Sequence, residues 1–229
     1  MKNIPTTLLL AIASLLGCGS KSSPPVPSGP RFLALGDSYT IGESVDPSER
    51  WPVQLARLLR EQKIEIADPE IIATTGWTTD ELSRGMDAAN PRGPYALVSL
   101  LIGVNNQFRG RSVEEFREQF AALLTRAISL ANNDASRVIV LSIPDWGVMP
   151  FAEGRDREKI GREIDQFNDV CREQCAKAKV RFIDITPISK CATTDSSLAA
   201  ADGLHPSGKQ YQLWAQAARD AAREALAKK

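Results

Sequence analysis

One serine, one aspartate and one histidine in this sequence have the types and spacing for nucleophilic catalysis. Ser38 follows a short apolar run and a Gly-Asp pair, and a serine hydroxyl becomes a good nucleophile once a base removes its proton. His205 is the single histidine of the 229 residues, so an imidazole base has no rival. Asp202 lies three residues before it, a spacing that lets the carboxylate fold back onto the imidazole and fix its tautomer. The pattern predicts a nucleophile, base and orienting acid at Ser38, His205 and Asp202.

Two further residues are candidates for stabilising a negatively charged oxygen. The backbone N–H groups of Ser38 and Gly76, together with the side-chain amide of Asn105, could donate hydrogen bonds to a developing oxyanion. One such donor stabilises a transition state by about 3–4 kcal/mol. Taken singly, each residue also suits a structural turn or a loop position with positive φ. The functional interpretation depends on all of them occurring in order, each after a predicted strand.

Those strands come from an alternation of apolar runs and helical stripes after residue 30. Strands are predicted within residues 32–35, 64–74, 95–102, 137–143 and 180–185, and helices within 50–62, 78–88, from 112 onward, 160–178 and from 206 onward. Five strands that alternate with helices predict an α/β protein, a three-layer α/β/α sandwich with a five-stranded parallel sheet. Parallel strands place their carboxyl ends at one edge of the sheet, so these distant residues can meet there.

Three local motifs carry a resemblance to a known family. They are Gly36-Asp37-Ser38, Gly103-Val104-Asn105-Asn106 and Asp202-Gly203-Leu204-His205. With Gly76, they resemble the SGNH hydrolases of the GDSL esterase superfamily over the whole segment from about residue 31 to the end. The resemblance implies a flavodoxin-like fold, a Ser-Asp-His hydrolase of acyl esters, and an oxyanion hole formed by Ser38, Gly76 and Asn105.

The chain departs from the family pattern at three points. The family is named after the motif Gly-Asp-Ser-Leu, and Tyr39 occupies the position of its Leu. Asn106 replaces the Asp that usually follows the Asn of the family motif. The Asn that the family often has upstream of Gly76 is missing from Thr74-Thr75-Gly76-Trp77. None of these departures removes a predicted catalytic group.

The amino terminus has the pattern of an export signal. Residues 1–17 begin with a positive charge and continue as an apolar run too short to cross a bilayer. Residues 15–18, Leu-Leu-Gly-Cys, resemble a bacterial lipobox, which implies lipidation of Cys18, and Gly19 after it implies the outer membrane of a two-membrane bacterium. The alternative is that the protein is secreted with an ordinary signal peptide and that Cys18 is not lipidated. Residues 18–29 then form a Ser/Pro-rich tether, and residues 30–229 form the predicted catalytic domain.

Composition excludes one class of partner. Lys plus Arg and Asp plus Glu both number 28, so the formal net charge is zero. Without a basic block, the chain is not expected to bind nucleic acid. The expected chemistry requires no cofactor and no metal.

Three further cysteines could brace the site in an exported protein. Cys171 and Cys175 lie on the apolar face of a predicted helix, where cysteine is often a small hydrophobic residue. A disulfide from Cys191 to either of them would brace the segment before Asp202, and the sequence does not choose the partner.

Two substrate classes fit an ester hydrolase with this sequence. One is small acyl or lysophospholipid esters, and the other is O-acetyl groups on polysaccharides. Trp77, Trp146 and Phe151 are the expected pocket walls, although core packing explains a tryptophan nearly as well. A function of another class, a non-catalytic surface lipoprotein that binds a glycan in the same cleft, is the alternative.

Overall fold

A computed structural model describes residues 29–227 of the chain. The predicted signal peptide, Cys18 and all of the tether except its last residue lie outside the described residues. Every helix, strand and contact below belongs to residues 29–227.

The centre of the fold is a five-stranded parallel sheet in the order β2-β1-β3-β4-β5. The strands are β1 (Phe32–Gly36), β2 (Glu70–Ala73), β3 (Leu97–Leu101), β4 (Val138–Leu141) and β5 (Arg181–Ile183). In the register, Leu35 of β1 lies opposite both Ile72 of β2 and Leu100 of β3. Because β1 runs between β2 and β3, its carboxyl end opens toward the ends of both neighbours, where ligands of such sheets bind.

Eight α-helices and six short 3₁₀ turns connect the strands within the described residues. The helices are α1 (Ser38–Ile41), α2 (Trp51–Glu61), α3 (Thr79–Ala89), α4 (Val104–Phe108), α5 (Val113–Leu130), α6 (Arg157–Ala178), α7 (Thr186–Lys190) and α8 (Gly208–Ala227). The 3₁₀ turns are Pro47–Glu49, Ala135–Arg137, Trp146–Val148, Pro150–Ala152, Cys191–Thr193 and Ser196–Leu198.

Apolar patterning explains why these elements pack as three layers. All residues of β1, β3 and β4 are buried, as expected for strands covered on both faces. Helix α5 starts where the Ser112 side chain accepts a hydrogen bond from the Glu115 N–H, and it buries one face: Phe116, Phe120, Leu123, Leu124 and Ala127. Helix α2 packs on α8, and α5 packs on α3 and α6. The predicted three-layer sandwich is therefore confirmed.

Two predicted elements are shorter or more structured than expected. The strand predicted over residues 64–74 is confined to Glu70–Ala73, because Pro69 has no N–H to donate to the ladder. The predicted loop over 145–155 contains two 3₁₀ turns, each started by a local cap or proline. Among the described helices, none is long and apolar enough to cross a membrane.

The predicted disulfide with Cys191 is wrong, because all three cysteines of the described region are free. Cys171 and Cys175 are buried on α6, whereas Cys191 is exposed at the end of α7. Burial raises the pKa of the Cys175 thiol to about 12 and that of Cys171 well above its ordinary value. These two cysteines therefore behave as small apolar core residues.

Candidate active site

Ser38 lies at the carboxyl end of β1 as the first residue of α1. Asp37 caps this helix, and its carboxylate accepts a 3.0 Å hydrogen bond from the Tyr39 N–H. Gly36 allows the tight turn, because a Cβ there would overlap Thr40 and the carbonyl of Leu101. The turn leaves Ser38 only 5% exposed but facing a cleft.

His205 and Asp202 form a close side-chain pair. Nδ1 of His205 lies 2.6 Å from Oδ2 of Asp202. The other carboxylate oxygen accepts hydrogen bonds of 2.9 Å from the backbone N–H groups of Leu204 and His205. An ionised carboxylate only accepts hydrogen bonds, so Nδ1 carries the proton and Nε2 of the neutral imidazole is left as an acceptor. That tautomer is the one a general base requires.

Asp202 is held in its ionised form. Partial burial opposes ionisation, but hydrogen bonds from Ser44, His205 and Leu204 outweigh it and hold the pKa of Asp202 well below its ordinary value. The Ser44 hydroxyl supplies a 2.6 Å hydrogen bond to Oδ2. Each such donor favours the charged carboxylate.

Asn105 is positioned by the turn after β3. Gly103 caps α4 with a φ of 130°, and a Cβ there would overlap Phe116 and Ile143. The side-chain amide of Asn105 donates one 2.9 Å hydrogen bond to the carbonyl of Trp77. A primary amide has two N–H groups, so one orients the side chain and the second is available to a ligand.

Gly76 lies in the loop between β2 and α3 with a φ of 87°, a conformation that favours glycine. Its carbonyl accepts a 2.6 Å hydrogen bond from Arg109, which also bonds Glu81 at 3.1 Å. The next residue, Trp77, is the one that binds Asn105. The Gly76 loop is therefore tied to the Asn105 segment at two points.

One cleft of about 80 Å³ brings together four of the predicted residues, which are Ser38, Asn105, His205 and Trp146. Its lining is Ser38, Tyr39, Val104, Asn105, Phe108, Trp146, Leu204 and His205. Gly76 is outside this lining and is connected to it through the Trp77–Asn105 contact. Asp202 lies behind His205 as its hydrogen-bond partner.

The three expected pocket walls have different surroundings. Trp146 lines the cleft. Phe151 is 40% exposed and packs on Trp146 with ring centres 6.2 Å apart. The expectation that Trp77 is a wall is not met, because its ring packs against Gly85 of α3, where a Cβ would collide with it.

The sequence patterns missed several residues at the site. Four of them line the cleft: Tyr39, Val104, Phe108 and Leu204. Gln107 is buried and accepts a 2.8 Å hydrogen bond from the Trp146 indole while it donates to Glu163 at 2.7 Å. Ser44 bonds Asp202. All of these except Ser44 lie within or close to the three motifs, whereas no local signal marks Ser44.

The buried carboxyl next to Ser38 has an unusual protonation behaviour. Asp37 is fully buried, and burial raises its pKa to about 7 against the opposing hydrogen bonds from the backbone of Tyr39 and Gly103. Its Oδ2 has no hydrogen-bond partner within the described residues. A neutral carboxyl is therefore favoured there at acidic pH.

A larger cavity than this cleft lies elsewhere in the described region. It has a volume of about 350 Å³ and is lined by Asp165, Asn168, Asp169, Arg172, Asp184, Thr186, Pro187 and Lys190. It contains aspartates and cations but neither Ser38 nor His205, so we place the chemistry in the smaller cleft. Residues 29–227 also contain no group of three or more His, Cys, Asp or Glu side chains arranged to hold a metal ion.

Comparisons with known proteins identify the family and the fold of the chain. The model of the GDSL-like lipase/acylhydrolase family matches residues 34–213, most of the chain. No curated protein matches the chain significantly.

Several solved structures share the fold at low sequence identity. TesA matches with a TM-score of 0.67 and 19% identity, over 86% of this chain and 99% of its own. The psychrotrophic esterase EstA from Pseudoalteromonas sp., inhibited by monoethylphosphonate, matches with a TM-score of 0.62 and 18% identity, over 86% and 97%. Axe2, an acetylxylan esterase from Geobacillus stearothermophilus, matches with a TM-score of 0.64 and 20% identity, over 87% and 95%. The family match, with the sheet and helices described above, leads to one conclusion: the chain belongs to the GDSL-like lipase/acylhydrolase family of SGNH hydrolases and is a carboxylic ester hydrolase.

Proposed function

We propose that the chain hydrolyses esters of small acyl groups through a covalent acyl-enzyme at Ser38. The observation that carries the proposal is the 2.6 Å contact between His205 and Asp202, with His205 and Ser38 lining the same cleft. This combination supplies a nucleophile, a base with a free Nε2 and a carboxylate that holds the tautomer.

The reaction has two steps. In the first, Ser38 Oγ bonds to the ester carbonyl carbon while its proton passes to Nε2 of His205. The tetrahedral intermediate then expels the alcohol, which takes the proton from His205. In the second step, water bonds to the acyl carbon while one of its protons passes to Nε2. The tetrahedral intermediate then breaks its bond to Ser38 Oγ, which takes the proton from Nε2, and the carboxylic acid leaves.

The negative charge on the carbonyl oxygen needs hydrogen-bond donors. We assign this role to the backbone N–H groups of Ser38 and Gly76 and to the second N–H of the Asn105 amide. The contact of Asn105 with Trp77 supports the assignment, because it orients the amide before the substrate binds. Preorganised donors stabilise the oxyanion without a cost of reorganisation during the reaction.

The size of the cleft favours a short acyl group. About 80 Å³ has room for an acetyl or similarly small group, whereas a drug-sized ligand occupies a pocket of roughly 300–1,000 Å³. The acetylxylan esterase activity of Axe2 supports the same preference, since that protein shares the fold. Of the two substrate classes, we therefore favour small acyl esters, including O-acetyl groups on carbohydrate, over lysophospholipids.

Fluorophosphonate labelling tests the nucleophile. We expect wild type to be labelled at Ser38 and Ser38→Ala to be unlabelled, while Ser197→Ala, an exposed serine bonded to another aspartate, is labelled like wild type. Equal labelling of Ser38→Ala would contradict the assignment. A wild type that is neither labelled nor active would favour the alternative of a glycan-binding lipoprotein.

A substrate panel tests the acyl preference. We expect kcat/KM to fall along p-nitrophenyl acetate, butyrate and octanoate, and acetate to be released from acetylated xylan but no fatty acid from lysophosphatidylcholine. Faster hydrolysis of the octanoate than of the acetate would contradict the small-acyl assignment.

We also propose that the protein is anchored to the cell envelope through lipidated Cys18. The lipobox-like residues 15–18 support this proposal. Radiolabelled palmitate should be incorporated into the wild type but not into Cys18→Ser expressed in a bacterium. Labelling of Cys18→Ser would contradict it.

A further inference from the structure

Three aromatic side chains and one arginine form a cluster at the edge of the cleft. We call Phe108, Trp146 and Phe151 the aromatic rim. The ring centres of Phe108 and Trp146 are 5.4 Å apart, and Phe151 lies 6.2 Å from Trp146. The guanidinium carbon of Arg155 lies 5.6, 5.4 and 4.9 Å from the centres of Phe108, Trp146 and Phe151. One cation therefore contacts all three rings.

The rim is continuous with the catalytic cleft. Phe108 and Trp146 line it together with Ser38 and His205. The Phe151 N–H donates a 2.9 Å hydrogen bond to the carbonyl of Gly203, which lies between Asp202 and His205 in the sequence. A substrate held at Ser38 that extends beyond the small cleft on this side must pass over the rim.

Trp146, the central ring of the rim, is held in place from below. The Trp146 indole N–H donates to the buried Gln107, which is bonded in turn to Glu163 on α6. Asp145 caps the 3₁₀ turn that carries Trp146 by accepting a 2.9 Å hydrogen bond from Gly147. Because these contacts already order the Trp146 side chain, binding against it costs little further side-chain entropy.

The rim is nevertheless open to solvent. Phe108 is 49% exposed and Phe151 is 40% exposed, and they are the exposed large hydrophobic side chains of residues 29–227. Exposed aromatic rings grouped beside a reactive site are typical of a binding surface.

Arg155 lacks an acidic partner among the residues that the structure describes. Its guanidinium makes the three ring contacts, and no salt bridge or side-chain hydrogen bond from it occurs there. Most arginines of the same region pair with a carboxylate, as Arg109 does with Glu81. A guanidinium that contacts rings by cation–π interaction keeps its N–H groups for a further partner, and their fork geometry matches a carboxylate with two hydrogen bonds.

We propose that Arg155 binds a carboxylate on the alcohol part of the substrate, and that this alcohol is an acidic sugar stacked on the aromatic rim. The inference rests on the proposed function, because it places the scissile acetyl ester at Ser38 in the small cleft. The sugar ring lies on the apolar faces of Phe108 and Phe151, and its carboxylate meets the guanidinium. The enzyme then acts preferentially on O-acetylated sugars that carry a uronate group.

A pair of substrates that differ only at C6, which is a carboxylate in one and a hydroxymethyl group in the other, tests the proposal. The pair is acetylated methyl glucuronoside and acetylated methyl glucoside, and acetate release gives kcat and KM for each. We expect kcat/KM of the wild type to be about tenfold higher for the glucuronoside than for the glucoside. The difference should lie in KM and not in kcat. The ratio of the two kcat/KM values should decline as the salt concentration is raised. In Arg155→Gln the ratio should fall to about one, and Arg155→Lys should restore part of it.

Arg157 supplies the matched control. It is exposed, two residues away at the start of α6, and makes no ring contact within the described region. Arg157→Gln should keep the wild-type ratio. A ratio near one in the wild type, or a wild-type ratio in Arg155→Gln, would overturn the proposal.

Two further measurements separate the possible failures. If p-nitrophenyl acetate is hydrolysed by wild type and not by Ser38→Ala, the proposed function stands, and an absent charge preference refutes the Arg155 inference alone. If neither sugar nor p-nitrophenyl acetate is hydrolysed, the proposed function itself fails. Faster hydrolysis of acetylglycerol phosphate than of the glucuronoside would overturn the assignment of the anion to an acidic sugar.

Discussion

Ser44 donates a 2.6 Å hydrogen bond to Oδ2 of Asp202, the same oxygen that lies 2.6 Å from Nδ1 of His205. Ser44 has a φ of 66°, a left-handed conformation that costs a non-glycine residue about 1–3 kcal/mol. The preceding residue, Glu43, accepts a hydrogen bond from Thr75, the neighbour of Gly76. Residues 43 and 44 therefore connect the end of α1 to both the Asp202 segment and the Gly76 loop.

Removal of the Ser44 hydroxyl should impair catalysis more than folding. In Ser44→Ala we expect kcat to fall about tenfold, since a hydrogen bond to a charged group contributes roughly 1.5–3 kcal/mol. The pKa of Asp202 should rise without this donor, because one of the hydrogen bonds that favour its charged form is lost. Steady-state kinetics with p-nitrophenyl acetate measure the loss of kcat, and urea unfolding measures the change in stability.

Ser44→Gly separates the hydroxyl from the backbone strain. Glycine tolerates positive φ, so this variant should be more stable than Ser44→Ala but equally impaired in kcat. If Ser44→Gly is as active as wild type, Ser44 is only a turn residue.

Asp202→Asn should remove most of the activity while the fold is kept. The amide can donate to Nδ1 of His205, which favours the tautomer with a protonated Nε2 and abolishes the base, an effect of roughly 10⁴-fold on kcat in a comparable triad. Asp195→Asn is the control, because Asp195 also has a lowered pKa, of about 2, but pairs with Lys209 and Ser197 outside the cleft. Similar losses in the two variants would argue against a specific role for Asp202.

Replacement of Asn105 should lower the activity, whereas replacement of its neighbour Asn106 should lower the stability. Asn105→Ala should lower kcat about 10²–10³-fold with little change in KM, as for the loss of an oxyanion donor. Asn106 is buried and exchanges hydrogen bonds of 3.1 and 2.8 Å with Thr79. Asn106→Ala should therefore lower the free energy of unfolding by about 1–3 kcal/mol. Urea unfolding and p-nitrophenyl acetate kinetics on both variants check these expectations. An unchanged kcat in Asn105→Ala would show that Asn105 has only a structural role.

Asp37 should make the protein less stable as pH rises from about 4 to 7. Its pKa is about 7 in the folded state and 3.8 as the ordinary value, so within this window the unfolded chain releases a proton that the folded chain keeps. The free energy of unfolding then falls with pH, by roughly 4 kcal/mol for three pKa units. The loss is complete above pH 7.

Asp37→Asn has no proton to release and isolates this contribution. Urea titration at each pH measures the unfolding free energy of both proteins. The value for wild type minus the value for Asp37→Asn should decrease from pH 4 to 7 and stay constant above pH 7. A constant difference would show that Asp37 has an ordinary pKa in the folded protein.

The free cysteines predict selective alkylation. Iodoacetamide should modify exposed Cys191 in the native protein, and Cys171 and Cys175 only after unfolding, because they are buried and their pKa values are raised. Peptide mass mapping locates the modified residues. A reductant should leave the melting temperature unchanged, and a lower melting temperature would indicate a disulfide after all.

Much of the fold could be predicted because its signals are local. The runs around Phe32–Gly36 and Leu97–Leu101 are continuously apolar, as buried parallel strands require. The Ser112 cap and the apolar stripe of α5 predict a helix from neighbouring residues alone. The strand predicted over residues 64–74 begins only after Pro69, whose missing N–H is a local cause. The Cys191 disulfide was predicted wrongly, because the approach of two cysteines depends on distant parts of the chain.

By itself, the sequence determined the order of strands and helices and which reactive side chains follow them, since hydrophobic periodicity and turn chemistry act over a few residues. The tertiary structure alone decided which of these groups touch. The hydrogen bond from Asn105 to Trp77 spans 28 residues, and the one from Ser44 to Asp202 spans 158. Arg155 reaches Phe108 only because α4 and the segment before α6 lie side by side. Such contacts depend on the packing of all the elements together, and no local pattern in the sequence encodes that packing.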